Sequence, residues 1–234
     1  MASVKDALDD SIQGHISIIK FIIFAIPLFI VISYKNITGY IFWLSFTVIL
    51  LLGFMLQCSY NVRMGNMKVL PSYNIFSILY TGICGIIALA PISLISYFAS
   101  KYIIEYASNY IAVAGVLKAI EFIVYFIFGS FILTSYLLFA NKFKIFDAFK
   151  INLVYKYCID ILLAVAFMIV QIVIVDVIIV APVTYIIWLF VGIPHPISIF
   201  FWCVVGVLNL AMVGHYMAQI SYEIIEVKES DGGK

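Results

Sequence analysis

Residues 157–188 read YCIDILLAVAFMIVQIVIVDVIIVAPVTYIIW, an apolar run whose only charges are Asp160 and Asp176. The hydrocarbon core of a bilayer, about 30 Å thick, needs roughly 20 apolar residues in a helix, and a helix satisfies its own backbone hydrogen bonds in lipid. This run therefore reads as a membrane-spanning helix. At roughly 1.5 Å per residue it is too long for one perpendicular crossing. Pro182 accordingly predicts either a kink or a short re-entrant piece after it, and a seventh crossing is the competing count.

Outward from this run lie five more, at about 16–34, 40–58, 75–100, 110–141 and 197–221, so six spans are expected. The run at 110–141 contains Lys118 and Glu121, spaced i, i+3 as a self-neutralising pair, and its first turns are expected outside the lipid. Of 234 residues, 65% are hydrophobic, 17% aromatic and 11% charged, against roughly 25% charged in a soluble domain. The runs are too long and too weakly alternating for barrel strands. The expected fold is an all-α polytopic transmembrane bundle: one integral membrane domain over 1–221, opening on an amphipathic helix within 1–14, and a polar tail over 222–234. Residues 1–13 are polar and no small-residue cleavage site follows the first run, so no cleavable signal is expected.

Orientation is read from the cations, because Lys and Arg near short loops stay on the cytoplasmic side. Lys5, Lys20, Arg63, Lys68, Lys142, Lys144, Lys150, Lys156, Lys228 and Lys234 fall on one side, ten of thirteen, while Lys35, Lys101 and Lys118 fall on the other. Both termini are expected to be cytoplasmic, in the cell membrane. No basic stripe suggests nucleic acid. The triplet Asn36-Ile-Thr38 matches a glycosylation acceptor, but such triplets are common by chance. Cys58, Cys84, Cys158 and Cys203 lie singly in or beside apolar runs and read as small core residues. His15, His195 and His215 are scattered. No metal-ligand spacing, phosphate loop or nucleophile motif is present, so no cofactor and no catalytic residue is expected.

A short amphipathic stretch precedes each outward helix. Val4, Leu8 and Ile12 recur at i, i+4 and i+8, with Lys5, Asp6 and Asp9 elsewhere; Phe146, Phe149 and Leu153 make a second such face, largely opposite Lys144, Asp147 and Lys150. Both patterns predict helices lying in the membrane interface. The stretch 71–80 holds the equivalent place with a poorer pattern. Pro27, Pro91 and Pro182 each interrupt an outward helix, which suggests three parallel units of interfacial helix, proline-bearing outward helix and inward helix. Prolines are also common in membrane helices. Mitochondrial carriers, which have three hairpins with kinked odd helices, are set aside because Pro27 is followed by Leu-Phe-Ile and Pro91 by Ile-Ser-Leu.

The strongest local motif is Gly53-Phe54, followed by Tyr60-Asn-Val-Arg63-Met-Gly65-Asn-Met-Lys68-Val-Leu70-Pro71. Here the chain, from about residue 40 to 226, resembles a prokaryotic six-span family, domain of unknown function 4013. That family is similar in its Gly-bearing helix end, Arg, Gly turn and Leu-Pro before the next helix. Its positions after Leu-Pro are associated with acidic residues, whereas this chain has Ser72-Tyr73-Asn74. The resemblance implies only an integral membrane protein of bacteria or archaea, and it assigns no activity because the family is itself uncharacterised.

Arg63 is the only arginine against twelve lysines. Its planar fork suits lipid phosphate or helix-end carbonyls, and the plainer reading is a topology-setting charge. Gly65 is expected to supply a permissive turn, with Leu70-Pro71 starting the next element. Arg63, Lys68, Lys144 and Lys150 are the candidate lipid or partner contacts. Among intramembrane polar groups, Asp176 needs a partner, for which Gln171, five residues away, or a Lys or His across the bundle is a candidate. His215 and Gln219 lie one turn apart. Asp160 falls on a different face from Asp176 and reads as an interfacial anchor. Trp43, Trp188, Trp202 and many tyrosines mark the boundaries, and Gly82, Gly85 and Ala88 allow close helix approach without naming the partner helix. Two functional classes fit: a non-catalytic assembly or accessory subunit binding membrane lipids and homo- or hetero-oligomeric partners, or a transporter for a lipophilic or small solute.

Overall fold

A computed structural model describes residues 3–12, 15–34, 38–65, 69–111, 113–192 and 195–226. The described elements are helical: α1 (Val4–Ile12), α2 (His15–Ser33), α3 (Tyr40–Arg63), α4 (Ile75–Ser108), α5 (Ala114–Lys142), a 3-10 turn (Ile145–Phe149), α6 (Ile151–Val175), a π turn (Asp176–Val180), α7 (Ala181–Val191), α8 (Pro196–Ile220) and a terminal π segment (Ser221–Glu226). This is an all-α helical bundle. Among the described residues five helices are long and apolar enough to cross a membrane, and α1 with α2, bent by 96°, makes a sixth if the pair counts as one span. The protein is therefore a multi-pass membrane protein.

The long run around Pro182 resolves into one continuous helix, Ile151–Val191, of 41 residues. It is not a span followed by a re-entrant piece. Proline lacks a backbone N–H and its ring meets the carbonyl four residues earlier. Here the turn before it is widened to π geometry, with the Ala181 N–H donating to the Asp176 carbonyl five residues back. Pro27 and Pro91 lie inside α2 and α4, which carry no such turn.

The chain groups into two compact units, Met1–Ile83 with Phe167–Gln219 and Cys84–Ala166 with Ile220–Lys234. In the first unit, Phe21, Phe24 and Ala25 of α2, Leu50, Phe54 and Cys58 of α3, Ile78 of α4 and Cys203, Val207 and Ala211 of α8 form one buried cluster. The Phe24 and Phe54 rings lie 4.7 Å apart. Glycine sets how closely α3 and α4 approach. A Cβ on Gly53 would stand 2.0 Å from the Ile78 carbonyl oxygen, and one on Gly82 would stand 2.0 Å from that of Ile49. The two backbones touch at both points, so the partner of Gly82 is α3. A Cβ on Gly214 of α8 would lie 2.7 Å from the Met55 carbonyl oxygen, and Ser59 Oγ donates to the Gly214 carbonyl at 2.7 Å.

In the second unit the buried side chains include Tyr136 to Ala140 of α5, Tyr157 and Ile161 of α6, and Ile220 and Ile225. The 3-10 turn and the terminal π segment both pack on α5. α5 ends on Phe143, whose φ of 52° is left-handed and whose N–H donates to the Phe139 carbonyl. Cys58 and Cys203 belong to the first unit's core and Cys158 is buried in the second, as expected of small core residues, whereas Cys84 is half-buried.

Both amphipathic stretches differ in detail from the sequence reading. α1 is a helix, but its buried face is Val4, Ala7 and Ser11; Leu8 is half-buried and Ile12 is 42% exposed. The small side chains face inward because that face lies against protein, not lipid. The stretch at 146–153 is a 3-10 turn followed by the start of α6 instead of one helix, with Ala148 buried and Phe146 84% exposed. Helix α4 begins at Ile75, four residues after Pro71, with Asn74 Oδ1 accepting the Ser77 N–H as its cap. Gly65, at φ 65°, takes the left-handed turn expected of it.

Candidate functional site

The first unit carries Gln171, Asp176, His215 and Gln219, four of the polar side chains that sequence analysis singled out inside the apolar runs. A helix start leaves backbone N–H groups without intrahelical partners. At the start of α1 these are met by two glutamines from membrane helices: Gln219 Oε1 of α8 accepts the Ser3 N–H at 2.8 Å, and Gln171 Oε1 of α6 accepts the Val4 N–H at 3.2 Å. One turn back from Gln219, the buried His215 places Nε2 3.0 Å from Asp10 Oδ2, near the other end of α1. His215 and Gln219 share a helix face, and both reach α1 instead of each other. Together Gln171, His215 and Gln219 grip α1 at both ends.

Gln171 is thus not the partner of Asp176. That partner is Asn209 of α8, whose Nδ2 donates to Asp176 Oδ2 at 3.0 Å. The remaining oxygens, Asp176 Oδ1 and Asn209 Oδ1, are buried without a hydrogen bond among the described residues. Asp176 also opens the π turn. Such turns widen the helix and leave backbone groups in altered register, and they recur at functional positions. Asn209 escaped the sequence reading because a lone amide in an apolar run carries no spacing signal.

Lys20, counted above as a cytoplasmic marker, is buried at 7% exposure. Its Nζ donates to the Leu70 carbonyl at 3.4 Å and to that of Pro71, and stands 5.1 Å from the Tyr73 ring centroid. Asn61 Nδ2 adds a bond to the Val69 carbonyl at 3.1 Å. The segment 69–71 is therefore tied down by Lys20 and Asn61. Arg63 is half-buried in the last turn of α3 and has interactions of its own. Lys68 lies outside the described residues.

In the second unit Lys144 and Lys150 flank the 3-10 turn, both exposed, and Lys150 Nζ pairs with Asp147 Oδ1 at 2.8 Å. Lys118 and Glu121, expected to neutralise each other, form no ion pair among the described residues; Lys118 is exposed and Glu121 half-buried. The order Lys before Glu near a helix start is the weaker one, because the dipole there favours an anion. Asp160 is half-buried and engaged. No family model, curated protein or solved structure matches this chain.

Proposed function

We propose that this protein is a non-catalytic membrane subunit that acts by binding partner subunits or lipids within the bilayer. The observation that carries this reading is the use to which its intramembrane polar groups are put. Gln171, His215 and Gln219 hold the protein's own α1, so their hydrogen-bonding capacity serves assembly of the chain. The spans meanwhile turn wide apolar faces outward, and α7 buries none of its residues within the protein. Placement in the cell membrane with both termini cytoplasmic is part of the same proposal, supported by the ten-to-three division of cations. Kinship with the prokaryotic six-span family belongs to it as well, resting on Gly53, Arg63, Gly65 and Leu70-Pro71.

A transporter is the second reading, and one observation favours it. Asp176 combines an intramembrane carboxylate, a π turn and an unbonded buried oxygen in a proline-bearing helix, the kind of interruption around which solutes and coupling ions are bound. Purification from native membranes in mild detergent, with mass analysis, tests the two together. A stoichiometric complex with partner chains or retained lipid is expected. A chain that purifies alone and moves a solute across liposomes, with flux lost in Asp176→Asn, overturns the subunit reading in favour of transport.

A further inference from the structure

We infer that the connection between α5 and α6 is a docking surface for anionic phospholipid headgroups. This deepens the proposed binding role and rests on it. Residues 142–156 hold Lys142, Lys144, Lys150 and Lys156 against the single acid Asp147, a net charge of 4 − 1 = +3. All four lysines are exposed, and only Lys150 is engaged with the acid. Lys156 leans over the Tyr157 ring at 5.1 Å, and Lys142 and Lys144 have no bonding partner among the described residues.

Apolar side chains accompany these charges in the arrangement an interface requires. Phe146, 84% exposed, stands on the 3-10 turn between Lys144 and Lys150. On the first turns of α6, Ile151, Tyr155 and Ile159 recur every fourth residue and are all exposed, which places one apolar face alongside Lys156. A connection between two spans lies at a membrane face, where acyl chains, phosphates and water meet in order. Phe146 and the Ile151 face suit the acyl boundary, and the lysines suit the phosphate level. An acidic protein segment would match the charge but leaves Phe146 and the Ile151 face uncovered, so the bilayer is the occupant that fits both.

The test uses the full chain, in detergent and in bilayer discs of phosphatidylcholine with or without phosphatidylglycerol. Native mass analysis reads the lipid retained, and the thermal midpoint reads stabilisation. Wild type should retain phosphatidylglycerol over phosphatidylcholine, and each exposed lysine replaced in K142Q, K144Q and K156Q should lower that preference about fivefold. K150Q should lower it less, because Asp147 already neutralises that charge. Phe146→Ser should weaken retention of both lipids alike, which separates insertion from charge recognition. Unchanged midpoints of the lysine variants in pure phosphatidylcholine are expected, since these side chains are solvent-facing. Equal retention of the two lipids by wild type, or an unchanged preference in the combined K142Q/K144Q/K156Q variant, overturns the inference. So does an acidic protein partner released by that variant while its lipid preference persists. Any of those results leaves the subunit reading standing if partner chains copurify; solute flux by the isolated chain defeats that reading and leaves the headgroup measurement intact.

Discussion

The two units of this chain share local hydroxyl-to-carbonyl bonds, such as those of Thr81 and Thr184 in the first, and the first adds long-range ones. In the first, hydrogen bonds join residues far apart in sequence: Gln219 to Ser3, His215 to Asp10, Ser59 to Gly214 and Lys20 to Leu70. In the second, the side-chain bonds of Ser100, Ser108, Ser130, Thr134 and Cys158 return to carbonyls three or four residues back on the same helix. Among glycines inside helices, Gly53, Gly82 and Gly214 of the first unit meet a neighbouring backbone, while Gly115 and Gly129 of the second have open space. A polar or small residue in a membrane helix is therefore no sign of a tertiary contact until its partner is known. The local bonds satisfy a hydroxyl where it stands, whereas the long-range ones decide which helices meet.

The contrast breaks most readily at glycine. Gly53→Ala drives a methyl group into the Ile78 carbonyl and should cost about 3 kcal/mol or prevent assembly, read as a lowered thermal midpoint in detergent. Gly129→Ala meets no atom within 4 Å and should be neutral or stabilising by up to about 1 kcal/mol through helix propensity. Equal damage from both would erase the distinction. Next in size is His215→Ala, which removes one partner of Asp10 and should cost about 2 kcal/mol, the value typical of a hydrogen bond to a charged group. Hydrogen exchange in α1 should rise with it, and an unmoved α1 would show that the glutamines suffice. Gln219→Leu should cost about 1 kcal/mol, as loss of a helix cap does, with faster exchange confined to the first turn of α1. Smallest of all, Ser130→Ala deletes a bond that stays within α5 and should change stability by less than about 0.5 kcal/mol. A larger loss there would mean that the local hydroxyls also serve packing.

The spans were legible because apolar length is a property of contiguous residues. Helix ends were less so. The run expected to end at residue 58 continues as α3 to Arg63, because Gln57 donates to Ser77 Oγ and Thr81 Oγ1 at 3.0 and 3.1 Å and Ser59 and Asn61 are also bonded inward. Those polar residues look like a boundary in sequence and act as internal contacts in the fold. Pro182 was visible as an interruption, but a kink and a π turn begin from the same missing N–H, and the residue alone does not choose between them. Gln171, His215 and Gln219 were singled out, yet their partners were not, because Ser3, Val4 and Asp10 lie 167 to 216 residues away along the chain. The amphipathic pattern at α1 gave the helix and missed its buried face for the same reason.

That separation has a consequence for biogenesis. A ribosome makes α1 well before the groups that receive it, since Gln171, His215 and Gln219 emerge only with α6 and the end of α8. During synthesis the earlier helices can pair as they enter the bilayer, the α3–α4 hairpin through its touching glycines among them. α1 must wait for these partners until α8 has been made. Its docking thus follows α8 in time although it precedes it in sequence, and an antibody or protease directed at α1 would distinguish chains made only as far as α7 from those that have gained α8.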